Sequence, residues 1–379
     1  MLRSRRNLDR ISRSAYASLS MARNRAVQGQ MKWPSHLPCG NAFFCTFSNA
    51  RGGQLASTEG IDDAEMSTET KNGDVKSARI LDNSSHRDGS MYKNSHLEIL
   101  CGVSNRGETQ REPMMLSEPK NCVPDRERCE RHIVGSMMQI LSLKLAEVHH
   151  VNTSSVQLYG YIAVRDYLDS LLNYIVNRSR DNPIMAQQGS LIEITGPKRG
   201  IMMSSPVLVE FDLRIKRGED ARHDLELIDG ATSYCHVATP FHPFTNRING
   251  DCGAVDITFA RVPDAVEATI DVIISEVQSA FSLSLSSFVF IGASHQEIQL
   301  FRGIIGDESC CGLTRRYVIA VELDTWIQLK FKVGQKASKY DDLESYCDFK
   351  ANLHGNARDQ IMLQHASISV KVTWSPLPV

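Results

Sequence analysis

Hydrophobic and polar residues alternate without error in VLVEFDLRIK, residues 207–216. Val207, Val209, Phe211, Leu213 and Ile215 share one face; Glu210, Asp212, Arg214 and Lys216 share the other. A period of two over that length predicts a strand with one face buried. The same period aligns Val156, Leu158, Ile162 and Val164 in SVQLYGYIAVRD, and Val255, Ile257 and Phe259 in VDITFARV. It aligns Ile270, Val272 and Ile274 in ATIDVIISEV, and Tyr317, Ile319, Val321 and Leu323 in RRYVIAVELD. Ile327, Leu329, Phe331 and Val333 follow it in WIQLKFKV, and Ile368, Val370, Val372 and Trp374 in ASISVKVTW. SMMQILSLKLAEV and SFVFIGA add two further strands.

Turn-forming residues separate these runs at Lys216-Arg217-Gly218-Glu219, Asn249-Gly250-Asp251, Val262-Pro263-Asp264 and Gly334-Gln335. Many strands with one polar face predict a mainly β fold: an antiparallel β-sandwich or partly open barrel with one or two short helices. One helix is expected in DYLDSLLNYIV, where Leu168, Leu171, Leu172 and Ile175 form a stripe and Asp166 stands at the N-cap.

This pattern starts near residue 133. Upstream, ASTEGIDDAEMSTETKNGDVKSARILDNSSHRDGS and SNRGETQREPMMLSEPKNCVPDRERCERH are polar and aperiodic. Such segments bury too little apolar area to offset ordering entropy, so residues 1–132 read as a disordered arm and 133–379 as the β-rich domain. Within the first 30 residues seven arginines face one acid, Asp9, among frequent serines, and Leu8, Ile11, Ala15 and Leu19 fall at helical spacing. That is the composition of an organellar transit peptide. The expected location is the cytoplasm, or a mitochondrion or chloroplast if the segment acts as one.

The 42 Lys and Arg nearly balance the 44 Asp and Glu, so no general field draws the chain to nucleic acid. No apolar run approaches the ~18 residues of a membrane span, which predicts a soluble protein. The ten cysteines contain no CxxC and suit an intracellular, reduced state. Cys122, Cys129 and His132 form a loose C-x6-C-x2-H group, but no fourth ligand stands near it in the sequence. Structural zinc needs four, so no metal or cofactor is expected. GASHQ at 292–296 lacks the second glycine of a nucleophile elbow. Asp224, Asp229, Asp251 and Asp256 lie on different turns without a D-x-D pair.

LIEITGPKRGI, residues 191–201, sets glycines beside Lys198 and Arg199, as phosphate-binding loops do. A P-loop needs a Ser or Thr after its Lys and a helix N-terminus facing the phosphate. Here Arg199 and Gly200 follow, and then a strand. The segment reads as a structural turn, with Lys198 and Arg199 the only candidate contacts, for an unidentified protein partner.

LYGYIAVRDYLDSLLNYIVNRSRDNP, LIEITGPKRGI and VLVEFDLRIK together resemble an uncharacterised plant C-terminal domain that has multiplied in grasses. The resemblance covers roughly 133 to 377 and rests on Arg165-Asp166, Arg178-Ser179-Arg180-Asp181, Gly196-Pro197-x-Arg199-Gly200 and Glu210-x-Asp212-Leu213. It implies no catalytic activity of its own. Some relatives join the domain to a ribosome-inactivating rRNA N-glycosylase, which implies a stress or defence setting. That activity requires a Glu-x-x-Arg pair on a buried helix. The match here, Glu219-Asp220-Ala221-Arg222, sits in a polar hairpin, and an exposed turn cannot stabilise an oxocarbenium-like state. The expectation is a non-enzymatic β-sandwich module that binds a protein partner. An rRNA N-glycosylase, or a regulator of one, is the alternative.

Overall fold

A computed structural model describes residues 75–93, 112–113, 115, 121–125, 129–150, 154–168, 170–306, 313–335, 343–363 and 366–377. The transit-peptide reading of residues 1–30 falls outside them. In chain order the strands are β1 (Lys76–Ser77), β2 (Gly135–Val148), β3 (Val156–Arg165), β4 (Asn173–Arg178), β5 (Ile184–Ala186) and β6 (Ile201–Met202). Next come β7 (Val207–Ile215), β8 (Leu225–Tyr234), β9 (Phe244–Gly250), β10 (Gly253–Ser275), β11 (Phe281–Ile291) and β12 (Ser294–Ile305). The last are β13 (Leu313–Glu322), β14 (Trp326–Gln335), β15 (Leu343–Lys350), β16 (Gly355–Met362) and β17 (Ser367–Ser375). Two single 3-10 turns, Ser90–Lys93 and Ala221–His223, are the helical elements among the described residues. The fold is mainly β, in several sheets with no closed barrel.

β10 organises the rest. At 23 residues it spans about 75 Å when extended, far more than one sandwich needs. Its first half pairs with β2 and β9, its second with β13 and β17. A five-stranded sheet, β4-β3-β7-β8 with β5 beside β3, covers the first half. The core between them is built from Ile162, Phe211, Leu213, Val255, Ile257 and Phe259 among others. A four-stranded sheet, β12-β11-β14-β15, covers the second half over Ile270, Val289, Leu329, Phe331, Val372 and Trp374. The expected domain therefore holds two hydrophobic cores threaded by one strand. Val262-Pro263-Asp264, expected as a turn, is a bulge inside β10 where the register against β2 shifts. Pro263 has no N–H to give a ladder, and Asp264 takes φ 43°, so the interruption falls where the strand changes partners.

The alternating faces of β3, β7, β10, β14 and β17 are buried as expected. Within the alternation of β3 the glycine is required: Gly160 has φ 106°, and a Cβ there would stand 2.0 Å from the Asp212 carbonyl oxygen.

The helix expected over 166–176 is not formed. Asn173–Arg178 is a strand, and Asp166 caps no helix. Its Oδ1 accepts the Leu168 N–H in a tight turn, and the carboxylate is held by Arg199. Pairing of Asn173–Arg178 with β3, and the contact of Asp166 with Arg199, are tertiary interactions that override a weak helix propensity.

The polar arm also differs from expectation at residues 75–93. β1 pairs parallel with β9, and the Leu81 N–H donates to the Ala231 carbonyl (2.8 Å). Met91 is buried against Leu208 and Ala231. The reason is local: the outer edges of β8 and β9 carry open backbone groups that the segment satisfies, while its few apolar residues, Ala78, Ile80, Leu81 and Met91, pack against the strands beneath.

Candidate functional site

The signature residues form two buried charge clusters. In the first, Arg199 is only 2 % exposed. Its guanidinium grips Asp166 in a bidentate pair, 2.7 Å on each arm, and also donates to the Gly200 carbonyl. The Gly200 N–H donates to Glu267 Oε2 (2.6 Å), a buried carboxyl that burial pushes up. Asn173 closes the loop by donating to the Arg199 carbonyl and accepting the Lys198 N–H. Gly196 lies so close to β4 that a Cβ would meet the Tyr174 carbonyl oxygen at 1.9 Å. The expectation that Arg199 contacts a partner is thus corrected: the side chain is enclosed and spent on Asp166. Lys198 is half-buried, its ammonium 3.5 Å from Glu112. Such pairs contribute little, so Lys198→Ala is expected to shift stability in urea by less than about 0.5 kcal/mol.

In the second cluster, His86 from the upstream segment sits between two carboxylates. Its Nδ1 lies 2.6 Å from Asp229 Oδ1 and its Nε2 2.9 Å from Glu210 Oε1. Arg165 Nε donates to Glu210 Oε2 (2.9 Å), and the Tyr161 hydroxyl donates to Oε1 (2.5 Å). Burial lowers the His86 pKa, but the bonds to Asp229 and then Glu210 outweigh it and raise it to about 9. The Asp229 carboxyl, pushed up by burial, is brought down to about 2, chiefly by its bond to His86. Chemically this is a closed assembly. An imidazolium with both N–H groups donated has no lone pair to accept a proton, and its side chain is 5 % exposed. Glu210 therefore departs from the solvent-facing role that alternation gives it.

The hairpin carrying Glu219 and Arg222 is exposed. Arg222, 88 % exposed at its side chain, pairs with Asp220 rather than with Glu219. The scattered aspartates are also engaged elsewhere: Asp224 with Arg180, Asp229 with His86, and Asp256 with Arg247.

The fourth ligand missing from the cysteine group is His354, in the turn between β15 and β16. The ligand atoms of Cys122, Cys129, His132 and His354 all lie within 4.8 Å of one another. His132 Nδ1 is 3.2 Å from Cys129 Sγ and 3.8 Å from Cys122 Sγ. The two imidazoles meet edge to face, 5.1 Å between centroids. Burial would raise the Cys129 thiol, but converging hydrogen bonds, that of the His132 backbone N–H foremost, bring it to about 5. Burial and the neighbouring Cys129 push the Cys122 thiol up. The sequence carries only half of this signal, since the partner lies more than 200 residues downstream.

One further feature faces solvent. Across the eight-stranded sheet, Arg316, Asp271, Lys371 and Arg358 stand in register on β13, β10, β17 and β16. They line a shallow concavity of about 750 Å³ together with Asp359 and other residues. Asp271 is committed to Arg316 (2.6 Å). Arg358 and Lys371 lie directly opposite each other and make no ion pair among the described residues. Like charges in that position repel.

The model of a family described as "domain of unknown function (DUF6598)" matches residues 137–372, more than half of the chain. No curated protein matches the sequence. Among solved structures, human GIVD cytosolic phospholipase A2 shares 9 % identity over 66 % of this chain and 33 % of its own, with a TM-score of 0.21. The chain thus spans about one third of that enzyme's length. The paired C2 domains of extended-synaptotagmin 2 share 8 % identity over 71 % of this chain and all of theirs, with a TM-score of 0.23. Their calcium-bound form gives 9 %, 65 %, 99 % and 0.24. Scores this low support no argument about fold or function.

Proposed function

The chain belongs to the DUF6598 family, a domain of unknown function, and from that premise we propose that it is a non-enzymatic module binding an acidic protein segment. The proposed surface is the outer face of the eight-stranded sheet. The observation that carries the reading is the pair Arg358 and Lys371, opposed across β16 and β17, neither in an ion pair among the described residues although Asp271, committed to Arg316, stands opposite Lys371. Two cations set opposite each other cost stability in the free domain, and acidic side chains laid across them would remove that cost. The state of the buried ionisable groups favours binding over catalysis. His86, Glu210 and Asp229 are bonded to one another, and Asp166 to Arg199. A stress or defence setting is carried by the resemblance alone.

The test uses a fluorescein-labelled polyglutamate peptide and fluorescence anisotropy at low salt. Wild type is expected to bind, with affinity falling as salt rises. The double reversal Arg358→Glu, Lys371→Glu is expected to weaken binding at least about tenfold while thermal stability is kept, both sites being on the sheet surface. Equal binding by both proteins would remove the sheet face from consideration. Adenine release from ribosomes incubated with the purified protein would contradict the non-enzymatic reading.

A further inference from the structure

We propose that Cys122, Cys129, His132 and His354 bind one zinc ion in a closed, structural site. The geometry is the first ground. In a tetrahedral zinc site with these donors the ligand atoms lie about 3.3–3.8 Å apart. The separations of His132 from the two sulfurs, 3.2 and 3.8 Å, bracket that range, and no pair among the four exceeds 4.8 Å. The second ground is His354. It is buried, and neither ring nitrogen finds a hydrogen-bond partner outside the cluster, the Cys129 thiol being its one polar neighbour there. Buried polar atoms are rarely left so, and a missing ion is one of the few explanations. The third is the scaffold: the Glu130 N–H donates to the Val123 carbonyl (2.8 Å), tying the two cysteine segments into one knuckle before the metal is considered. The donor set of two thiolates and two imidazoles suits zinc, and four protein ligands leave no open position for chemistry.

The location gives the ion a purpose. β15 is an edge strand of the four-stranded sheet and β16 an edge strand of the eight-stranded sheet. His354 lies in the turn where the chain crosses from one to the other. The cysteines and His132 lie just upstream of β2. A metal here would staple the polar upstream segment to the open side of the C-terminal sandwich, closing a loop of more than 200 residues.

The experiment titrates cobalt(II) into the reduced, metal-stripped full chain. The expected result is one equivalent bound, with the intense visible absorption of a tetrahedral site carrying thiolate charge transfer, displaced stoichiometrically by zinc. His354→Ala and Cys129→Ser are each expected to weaken zinc binding by on the order of 100-fold or more, since even outer-shell losses reach that range. The wild-type reading needs no variant to fold. Absence of stoichiometric binding, an octahedral cobalt spectrum, or an unchanged spectrum and affinity in His354→Ala would each overturn the site.

Discussion

Arg199→Ala is expected to destabilise the protein by about 3–5 kcal/mol, the cost of leaving one partner of a buried ion pair uncompensated. Asp166 keeps the Met202 and Leu168 N–H groups, but neither carries charge. The loss should spread, because the same loop binds Asn173 through the Arg199 carbonyl and Glu267 through the Gly200 N–H. Arg199→Lys should recover only part of the loss, since an ammonium cannot reproduce the bidentate fork. Equilibrium urea denaturation at neutral pH reads both. A change under about 1 kcal/mol in Arg199→Ala would show that the pair is solvated and the loop accessible after all.

The second large effect is a pH dependence set by His86. Its folded pKa, about 9, stands above the ordinary histidine value of 6.5. A raised pKa means stabilisation fully present below pH 6.5 and lost as pH rises through 9. The gap corresponds to about 3 kcal/mol. Asp229 works in the opposite sense: depressed from 3.8 to about 2, it stabilises above pH 3.8, and that contribution is lost as pH falls through 2. The two shifts share the same hydrogen bonds and do not add. Urea midpoints between about pH 5 and 10 should therefore fall on the alkaline side, and the His86→Ala difference from wild type should shrink as pH passes 9. A difference that stays constant across that range would mean that His86 packs as a neutral ring.

How much of this can be read from the sequence depends on the reach of each interaction. Strand faces are legible because a period of two is local: β7, β14 and β17 bury the residues that alternation assigns. Glu210 is not, because its burial depends on a histidine more than 100 residues upstream in a stretch with no apolar pattern. Local pattern divides β10 into two strands because Pro263 is a turn residue, yet at a bulge it costs the ladder nothing. The helix over 166–176 is absent because Asn173–Arg178 pairs with β3 and Asp166 is held by Arg199, contacts that no periodicity reports. The metal cluster divides in the same way. Its three upstream residues are close in sequence, whereas His354 arrives through the crossing between two sheets.

The family match begins at residue 137, yet both charge and metal clusters reach upstream of it, through His86 and through Cys122, Cys129 and His132. The central claim is that these polar segments are parts of the fold. Calorimetry of a chain starting at Thr70, where the compact unit begins, against one starting at Ile133 tests it most directly. The longer chain should melt cooperatively, and the shorter should melt lower by on the order of 10 °C or fail to fold, given the stabilisation lost with His86 alone. Equal melting temperatures would contradict the account.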